Sequence, residues 1–531
     1  MKTMKLKIKS LLISMILIFG FTACADWLEL LPNDEMILED YWKNAQQVDA
    51  AVIGCYRAII SGDCIERMIV WGELRGDNVG THSSASSDQR YVNTHNIAVS
   101  NSYANWGSVY TVINQCNTVL YFAPGVMKED PNFDLGTLRA YQAEALTLRA
   151  LMYFYLVRTY RDVPLTLEPY RDEKREFALP KTPGSEILNQ LIEDLKTAKN
   201  YAMESWNSMA SHPDNKGRIT KQAVRALLAD IYLWDKQYDN CINLCDEFLA
   251  VNEQLDELKQ LRLVEAPYMF AQVFYMGNSA ESIFELNFSQ NLPNSRMITL
   301  YGDASNPGRL CAPNVDGAWE FQSGRSASPY PSTDYRGKDF STPLPEARIF
   351  KYTGMTRAEN SYGNSVYAFR ATSSIAQWIV YRLPEIYLMK AEALVERNTG
   401  SDLQEAIAFV NRTYMRANPD LGTQELVIED YPGQSAMRTL VLDERRRELA
   451  FEGKRWFDLV RLSEREGNTD KLRSYIAVTL STDVSAQTLA DNRLSFMDAI
   501  YMPIHQNELR ANPNLVQNPF YETNSNISTT N

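Results

Sequence analysis

Residues 220–251 read TKQAVRALLADIYLWDKQYDNCINLCDEFLAV. Apolar residues recur every three or four positions on both sides of Asp235-Lys236-Gln237-Tyr238. That period predicts two amphipathic helices joined by a short turn. Thr220, just ahead of the first stripe, is placed to cap it, because its hydroxyl can accept from an unpaired N–H of the first turn. Cys241, Cys245 and Phe248 share one face of the second helix, so the two thiols read as packing residues.

The same pattern returns on either side of this stretch. Second helices carry Leu191/Leu195/Ala198 in SEILNQLIEDLKTAKNY (185–201) and Ala406/Val410/Thr413 in LQEAIAFVNRTYMRA (403–417). First helices carry Ala150/Tyr153 in LRAYQAEALTLRALMYFYLVRTY (138–160), Ala229/Tyr232, and Ala391/Leu394 in PEIYLMKAEALVER (384–397). Ser401, followed three residues later by Gln404, predicts a capping box ahead of the last second helix. The units resemble tetratricopeptide repeats, in which small residues let two helices approach closely. Long insertions separate them, which argues against a free-standing solenoid. The expected fold class is mostly α: degenerate tetratricopeptide-like repeats form a scaffold, with a loop-rich insertion carrying a few short strands.

Between Tyr268 and Trp378 the character changes. Gly, Pro, Asn and Ser crowd NSRMITLYGDASNPGRLCAPNVDGAWEF, and apolar runs such as SIFELNF are short. Such density of turn formers predicts irregular loops with short strands. GTHSSASSDQRYVNTHNIAVSNSYAN (80–105) reads as a second loop of this kind. Loops held by a rigid scaffold are where binding residues concentrate.

The chain opens MKTMKLKIKSLLISMILIFGFTACADW. Lys2, Lys5, Lys7 and Lys9 precede an apolar run from Leu11 to Phe21, too short for a span that needs about 20 apolar residues. A basic start, a short apolar core and then small residues form the pattern of a secretory signal peptide. Phe21-Thr22-Ala23-Cys24 resembles a bacterial lipobox, which makes Cys24 the expected lipidation site; a plain signal peptide with a chance cysteine is the other reading. Losing residues 1–23, with four lysines and no acid, takes the net charge from −13 to −17. That acidity, without any basic run, argues against nucleic acid as a partner. Histidines 82, 95, 212 and 505 are isolated, so no metal-ligand set can be assembled and no metal or other cofactor is expected. Cys55, Cys64, Cys116 and Cys311 show no disulfide framework in their spacing. Arg75-Gly76-Asp77 spells an adhesion tripeptide, a match expected by chance in a chain this long.

The densest motif is VLDERRRELAFEGKRWFDLVRL (441–462). Leu442, Leu449, Trp456 and Val460 fit one face of a continuous helix, with Gly453 allowing close packing. Asp443 is placed to reach Arg447, and Glu452 to reach Arg455. RRRELAFEGKRWFDLVR resembles the C-terminal hallmark of the SusD/RagB nutrient-binding lipoproteins. CADWLELLPNDEMILEDYWKN resembles that family's mature N-terminus. LRALMYFYLVRTYRDVPL resembles its helix ending in a Tyr-Gly-Asp-Val-Pro type turn, with Arg161 in place of the usual Gly. YRLPEIYLMKAEALVE and YMPIHQNELRANPNLVQNPFY complete the series, His505 standing where Pro is usual.

The resemblance implies a single SusD-like domain over 24–531 after a signal peptide over 1–23. Within it lie an N-terminal part (24–135), helical repeats (136–265 and 380–465), a ligand-binding subregion (266–379) and a closing segment (466–531). It also implies a non-catalytic lipoprotein on the outer face of the outer membrane that passes glycan, or in the RagB branch peptide, to a SusC-like TonB-dependent transporter. A sugar ring offers an apolar face to Trp or Tyr and hydroxyls to polar side chains. On that logic Tyr91, Asn96, Asn101 and Tyr103 in the first loop, and Tyr301, Asn314 and Trp319 in the second, are the expected ligand residues. The alternative of a surface glycoside hydrolase needs two carboxylates about 5–10 Å apart; no local motif points to such a pair, and no catalytic residue is assigned.

Overall fold

A computed structural model describes residues 41–170, 178–312, 314–315, 318–319, 334–337, 348–359, 365–369, 375–480 and 483–525. The expected signal peptide and Cys24 lie outside the described residues. Among the described residues, no helix is long and apolar enough to cross a membrane.

The helical scaffold is built from α1 (Ala45–Ser61), α2 (Ser87–Asn93), α3 (Gly107–Glu129), α4 (Leu135–Tyr160), α5 (Gly184–Tyr201), α6 (Lys221–Trp234), α7 (Tyr238–Glu253), α8 (Leu383–Arg397), α9 (Asp402–Ala417), α10 (Gly433–Leu449) and α11 (Arg455–Glu466). The pairs α4/α5, α6/α7 and α8/α9 are the three expected repeats, and each helix packs on its partner. α5 packs on α6, and α7 on α8, so the units stack in sequence although about 130 residues separate the last two. Leu191, Leu195, Ala198, Cys241, Cys245, Ala406 and Val410 are all fully buried, which fits the packing role expected for the two cysteines. Thr220 caps α6, accepting from Ala223 N–H. Ser401 makes no side-chain cap on α9. Instead Asp402 accepts from Thr399 N–H at 2.8 Å and pairs with Arg397 at 2.7 Å, pinning the preceding turn.

Where the family resemblance has Gly, Arg161 ends α4 with φ 68° and ψ −70°. Positive φ favours glycine, and here the arginine is held in it by Asp498 at 2.9 Å and by Asp162 at 3.4 Å. Cys55, Cys64, Cys116, Cys241, Cys245 and Cys311 are free thiols, and all but Cys311 are buried.

Residues 441–462 are not one helix. α10 ends at Leu449, the chain turns through Phe451 (φ 67°) and Gly453 (φ 72°), and α11 begins at Arg455. The break exists because another segment crosses there: a Cβ on Gly72 would lie 1.8 Å from Gly453 O, and one on Gly453 would lie 2.8 Å from Met68 O. Glu73 holds the turn, accepting from the N–H groups of Phe451, Gly453 and Lys454 at 2.9, 3.0 and 3.2 Å and from Asn78 Nδ2 at 3.0 Å. Burial pushes its carboxyl up to about 7 against the pull of those donors.

The break redirects the charges as well. Arg447 pairs with Glu444 rather than Asp443, and Arg455 pairs with Asp77 at 2.6 Å rather than Glu452. Glu448 takes Arg336 at 2.9 Å, Arg382 at 2.5 Å and Arg416 at 2.5 Å, while Glu452 takes Lys351 at 2.6 Å and Arg382 at 2.7 Å. Burial pushes the Glu448 carboxyl up, but the charges of Arg416, Arg382 and Arg336 outweigh it and hold it well below the usual carboxylate range. Arg336 and Lys351 belong to the loop-rich insertion, so the insertion is fastened to α10 by charge. Arg75 and Asp77 of the adhesion-like tripeptide are 2% exposed each and lie in this interior: Arg75 donates to the Ile500 and Ala499 carbonyls and sits 4.1 Å over Trp456.

The strands pair in antiparallel twos. β1 (Gly80–Thr81), β2 (Ser282–Leu286), β3 (Leu310–Cys311), β4 (Asn314–Val315), β5 (Ala318–Trp319), β6 (Gly354–Glu359), β7 (Ser365–Phe369) and β8 (Trp378–Arg382) form β1–β3, β2–β8, β4–β5 and β6–β7. β2 and β8 are buried throughout and frame the insertion between them. Among its described residues the insertion thus has the short strands and loops its composition predicts, but also helical segments over Ala266–Met269, Phe270–Met276 and Ser295–Tyr301 that the density of turn formers did not predict.

Candidate functional site

The two turn-rich segments meet. β1 from the 80–105 segment pairs with β3, Gly80 opposite Cys311 and Thr81 opposite Leu310. His82 N–H donates to Arg309 O at 2.8 Å, and Ser84 Oγ donates to Gly308 O at 2.7 Å. Segments about 230 residues apart in sequence thus share one surface on the helical scaffold.

The first segment is more ordered than a loop. It contains α2, closed by a capping box in which Gln89 N–H donates to Ser86 Oγ at 3.2 Å and Ser86 N–H donates to Gln89 Oε1 at 2.9 Å. Ser86-x-x-Gln89 is a legible helix start, set among the serines of a turn-rich stretch. Tyr91 stands on α2 with 47% of its surface exposed. Asn96 is half-buried, its N–H donating to Tyr91 O at 2.9 Å.

Asn101 and Tyr103 face inward. Asn101 is buried; Nδ2 donates to Asp88 O at 3.1 Å and Oδ1 accepts from Tyr103 N–H at 3.0 Å, which caps the short turn Ser102–Ala104. Tyr103 donates its hydroxyl to Glu66 at 2.6 Å and accepts from Gln89 Nε2 at 2.8 Å. Burial, and then the Glu66 charge, push its phenol above the usual range. Glu66 in turn pairs with Arg296 at 3.0 Å. The chain Gln89–Tyr103–Glu66–Arg296 ties α2 to the helix Ser295–Tyr301 of the second segment. No sequence signal links Glu66 to Arg296, 230 positions on.

Tyr301, fully buried, donates its hydroxyl to Phe451 O at 2.9 Å, on the turn between α10 and α11. Asn314 and Trp319 pair across the β4–β5 hairpin three residues beyond β3; their side chains lie outside the described residues. Among the described side chains, the expected residues therefore fall into two layers. Asn101, Tyr103 and Tyr301 spend their polar groups inside the protein and brace the junction, while Tyr91 is exposed and Asn96 half-buried.

Two concavities lie elsewhere on the scaffold. One of about 510 Å³ is flanked by Tyr141, Tyr201 and Trp206. The other, of about 500 Å³, opens between residues 204–222, 255–262 and 278–283. Neither is lined by an expected ligand residue. The carboxyls that burial pushes upward, Glu73, Glu144, Glu285 and Glu385, are at most 2% exposed and all engaged, so none of them offers a solvent-facing acid.

A stacked helical-repeat scaffold that fastens two turn-rich segments into one surface defines a class of fold, and comparison with known proteins supplies its family. Residues 26–233 match the family described as "Starch-binding associating with outer membrane", and residues 364–521 match the SusD family. SusD-like protein P2 of Formosa agariphila is 26% identical over 488 residues, covering 84% of this chain and 89% of the relative. A SusD superfamily structure from Bacteroides vulgatus superposes with a TM-score of 0.67 at 20% identity, covering 90% of this chain and 100% of that one. A structure described as a laminarin binding SusD-like protein gives a TM-score of 0.63 at 21% identity, covering 90% of this chain and 100% of that one. The chain belongs to the SusD/RagB family.

Proposed function

We propose that this protein is a glycan-capturing lipoprotein of the outer membrane surface, anchored through Cys24, that delivers oligosaccharide to a SusC-like TonB-dependent transporter without cleaving it. The observation that carries the reading is the β1–β3 junction, which joins the two turn-rich segments on the helical scaffold. A glycan laid across it would stack on Tyr91 and Trp319 and use Asn96 and Asn314 for hydroxyl contacts. Asn101, Tyr103 and Tyr301 would serve by holding the junction in shape. The family description of starch binding and the laminarin-binding relative support glycan as the cargo class.

The test is calorimetric titration of the chain, purified in detergent, against a panel of oligosaccharides and oligopeptides, followed by assay for new reducing ends or amines. Binding of a glycan without product, weakened about fivefold or more by Tyr91→Ala or Trp319→Ala, is the expected result. New reducing ends would replace capture by hydrolysis. Binding of peptides alone would move the protein to the peptide-binding branch.

A further inference from the structure

The cavity of about 500 Å³ is walled by three segments, each tied by side-chain hydrogen bonds. Asn215 fixes the first, its Oδ1 accepting from Trp206 N–H at 2.9 Å and Asn207 N–H at 2.8 Å while its Nδ2 donates to Asn207 O and Met209 O. Asn252 fixes the second, exchanging hydrogen bonds of 2.8 and 2.9 Å with the backbone of Leu261. Glu285 fixes the third, accepting from Asn278 N–H at 2.8 Å and from Ser282 Oγ. A cavity whose walls are pinned in this way is preorganised for a ligand.

Amid so much satisfied polarity, two groups lack partners. Lys216 is half-buried in the wall, and among the described residues its ammonium makes no hydrogen bond and no ion pair. Burial lowers its pKa to about 8, and Glu285 is close enough to be felt but not to touch. The Asn278 Oδ1 atom is buried without a donor. An orphaned buried acceptor destabilises the fold, and a partly desolvated ammonium without a counter-ion does so more strongly.

The sign of the lining is also unusual. In a chain of net charge −13, the cavity wall carries Lys216, Lys259 and Arg262 against one acid, Glu204, which is already bound to Lys221 at 2.6 Å. None of the lining residues is aromatic, so the wall offers no ring for a sugar to stack on. What it offers is side-chain hydroxyls and amides, among them Ser205, Ser211 and Gln222, and cationic charge. Hydroxyls and amides suit a polyol, and the unpaired ammonium suits a carboxylate.

We infer that this cavity is a second glycan subsite that takes a carboxylated sugar, a hexuronate unit, with the carboxylate set against Lys216 Nζ. A ligand hydroxyl supplies the donor that Asn278 lacks. The inference rests on the glycan-capture reading and sharpens its substrate class: the captured polymer carries acidic units, read by charge at this cavity and by stacking at the β1–β3 junction.

The test titrates the full chain in detergent with oligogalacturonate, with its methyl ester and with a neutral gluco-oligosaccharide of equal length. Oligogalacturonate is expected to bind at least about tenfold more tightly than the ester, the scale of one charge-assisted hydrogen bond. Lys216→Met should abolish that ratio, and Lys216→Arg should preserve most of it. Equal affinity for acid and ester, or a ratio unchanged in Lys216→Met, overturns the inference. If an oligosaccharide binding in that case is weakened by Tyr91→Ala, the capture reading stands while the subsite falls. Peptides with a free C-terminal carboxylate that bind through Lys216 while oligogalacturonate does not would overturn both.

Discussion

Two interior regions of this protein treat buried charge in opposite ways. Around α10 the buried ions are paired: Glu448 alone meets three guanidinium groups, and Glu452 meets Arg382 and Lys351. At the 500 Å³ cavity, Lys216 meets no counter-ion among the described residues. The first arrangement spends its charges on holding an insertion to a scaffold. The second leaves a charge unspent at a place a ligand can reach. The difference separates a structural ion lattice from a recognition site, although both are built from the same residue types.

The lattice offers the largest effect. Glu448→Gln leaves Arg336, Arg382 and Arg416 clustered without their shared carboxylate, and removing one partner of a buried ion network costs about 3–5 kcal/mol. Urea denaturation should register a loss of that size; a change below about 1 kcal/mol would mean the lattice is not what holds the insertion. The same carboxylate sets an acid limit. Because its folded pKa lies below the unfolded value, the stability it gives is present at neutral pH and is lost as the pH falls below about 4.5. Glu448→Gln should flatten that acid slope.

A smaller loss is expected from Glu73→Gln. All four groups facing Glu73 are donors, three backbone N–H and Asn78 Nδ2, so an amide turns an NH₂ toward other donors. The expected cost is about 1–3 kcal/mol, read as a shift in the denaturation midpoint, with Tyr301 loosened as well because its hydroxyl bonds to the same turn.

Lys216 should behave with the opposite sign and in another window. Its folded pKa, about 8, lies below the ordinary 10.5, so the fold binds fewer protons than the unfolded chain between those values. Stability contributed by this group therefore rises as the pH climbs from about 8 to 10.5. The difference between the protein and Lys216→Met across that range isolates the term. A bound carboxylate should erase it.

Arg161→Gly carries the smallest effect. Glycine relieves the positive φ, a strain of about 1–3 kcal/mol at most, but forfeits half-exposed ion pairs worth about 0–1 kcal/mol and loosens the unfolded chain. A net change within about 1 kcal/mol in either direction is expected from thermal denaturation.

The repeat helices were legible because their stripes are local: Cys241, Cys245 and Phe248 needed only the helical period to be placed in the core. The break at residues 450–454 was not, because it is imposed by Gly72 and Glu73, which come from another part of the chain. The ion partners failed to show for the same reason; Asp77 answers Arg455 across 378 positions. At the candidate site, composition marked the two segments but not their contents. Tyr301 and Tyr103 resemble ligand residues in sequence, and only the fold reveals their hydroxyls bound to Phe451 O and Glu66. The α2 helix is the case where the signal, Ser86 and Gln89, was present and simply outweighed by its surroundings.

On the proposed reading, ligand is held at the β1–β3 junction. Hydrogen–deuterium exchange of the full chain with and without a bound oligosaccharide tests it most directly. Added protection is expected over residues 82–98 and 308–319, with α10 and α11 unchanged. Protection confined to the repeat helices, with both of those segments unaffected, would contradict it.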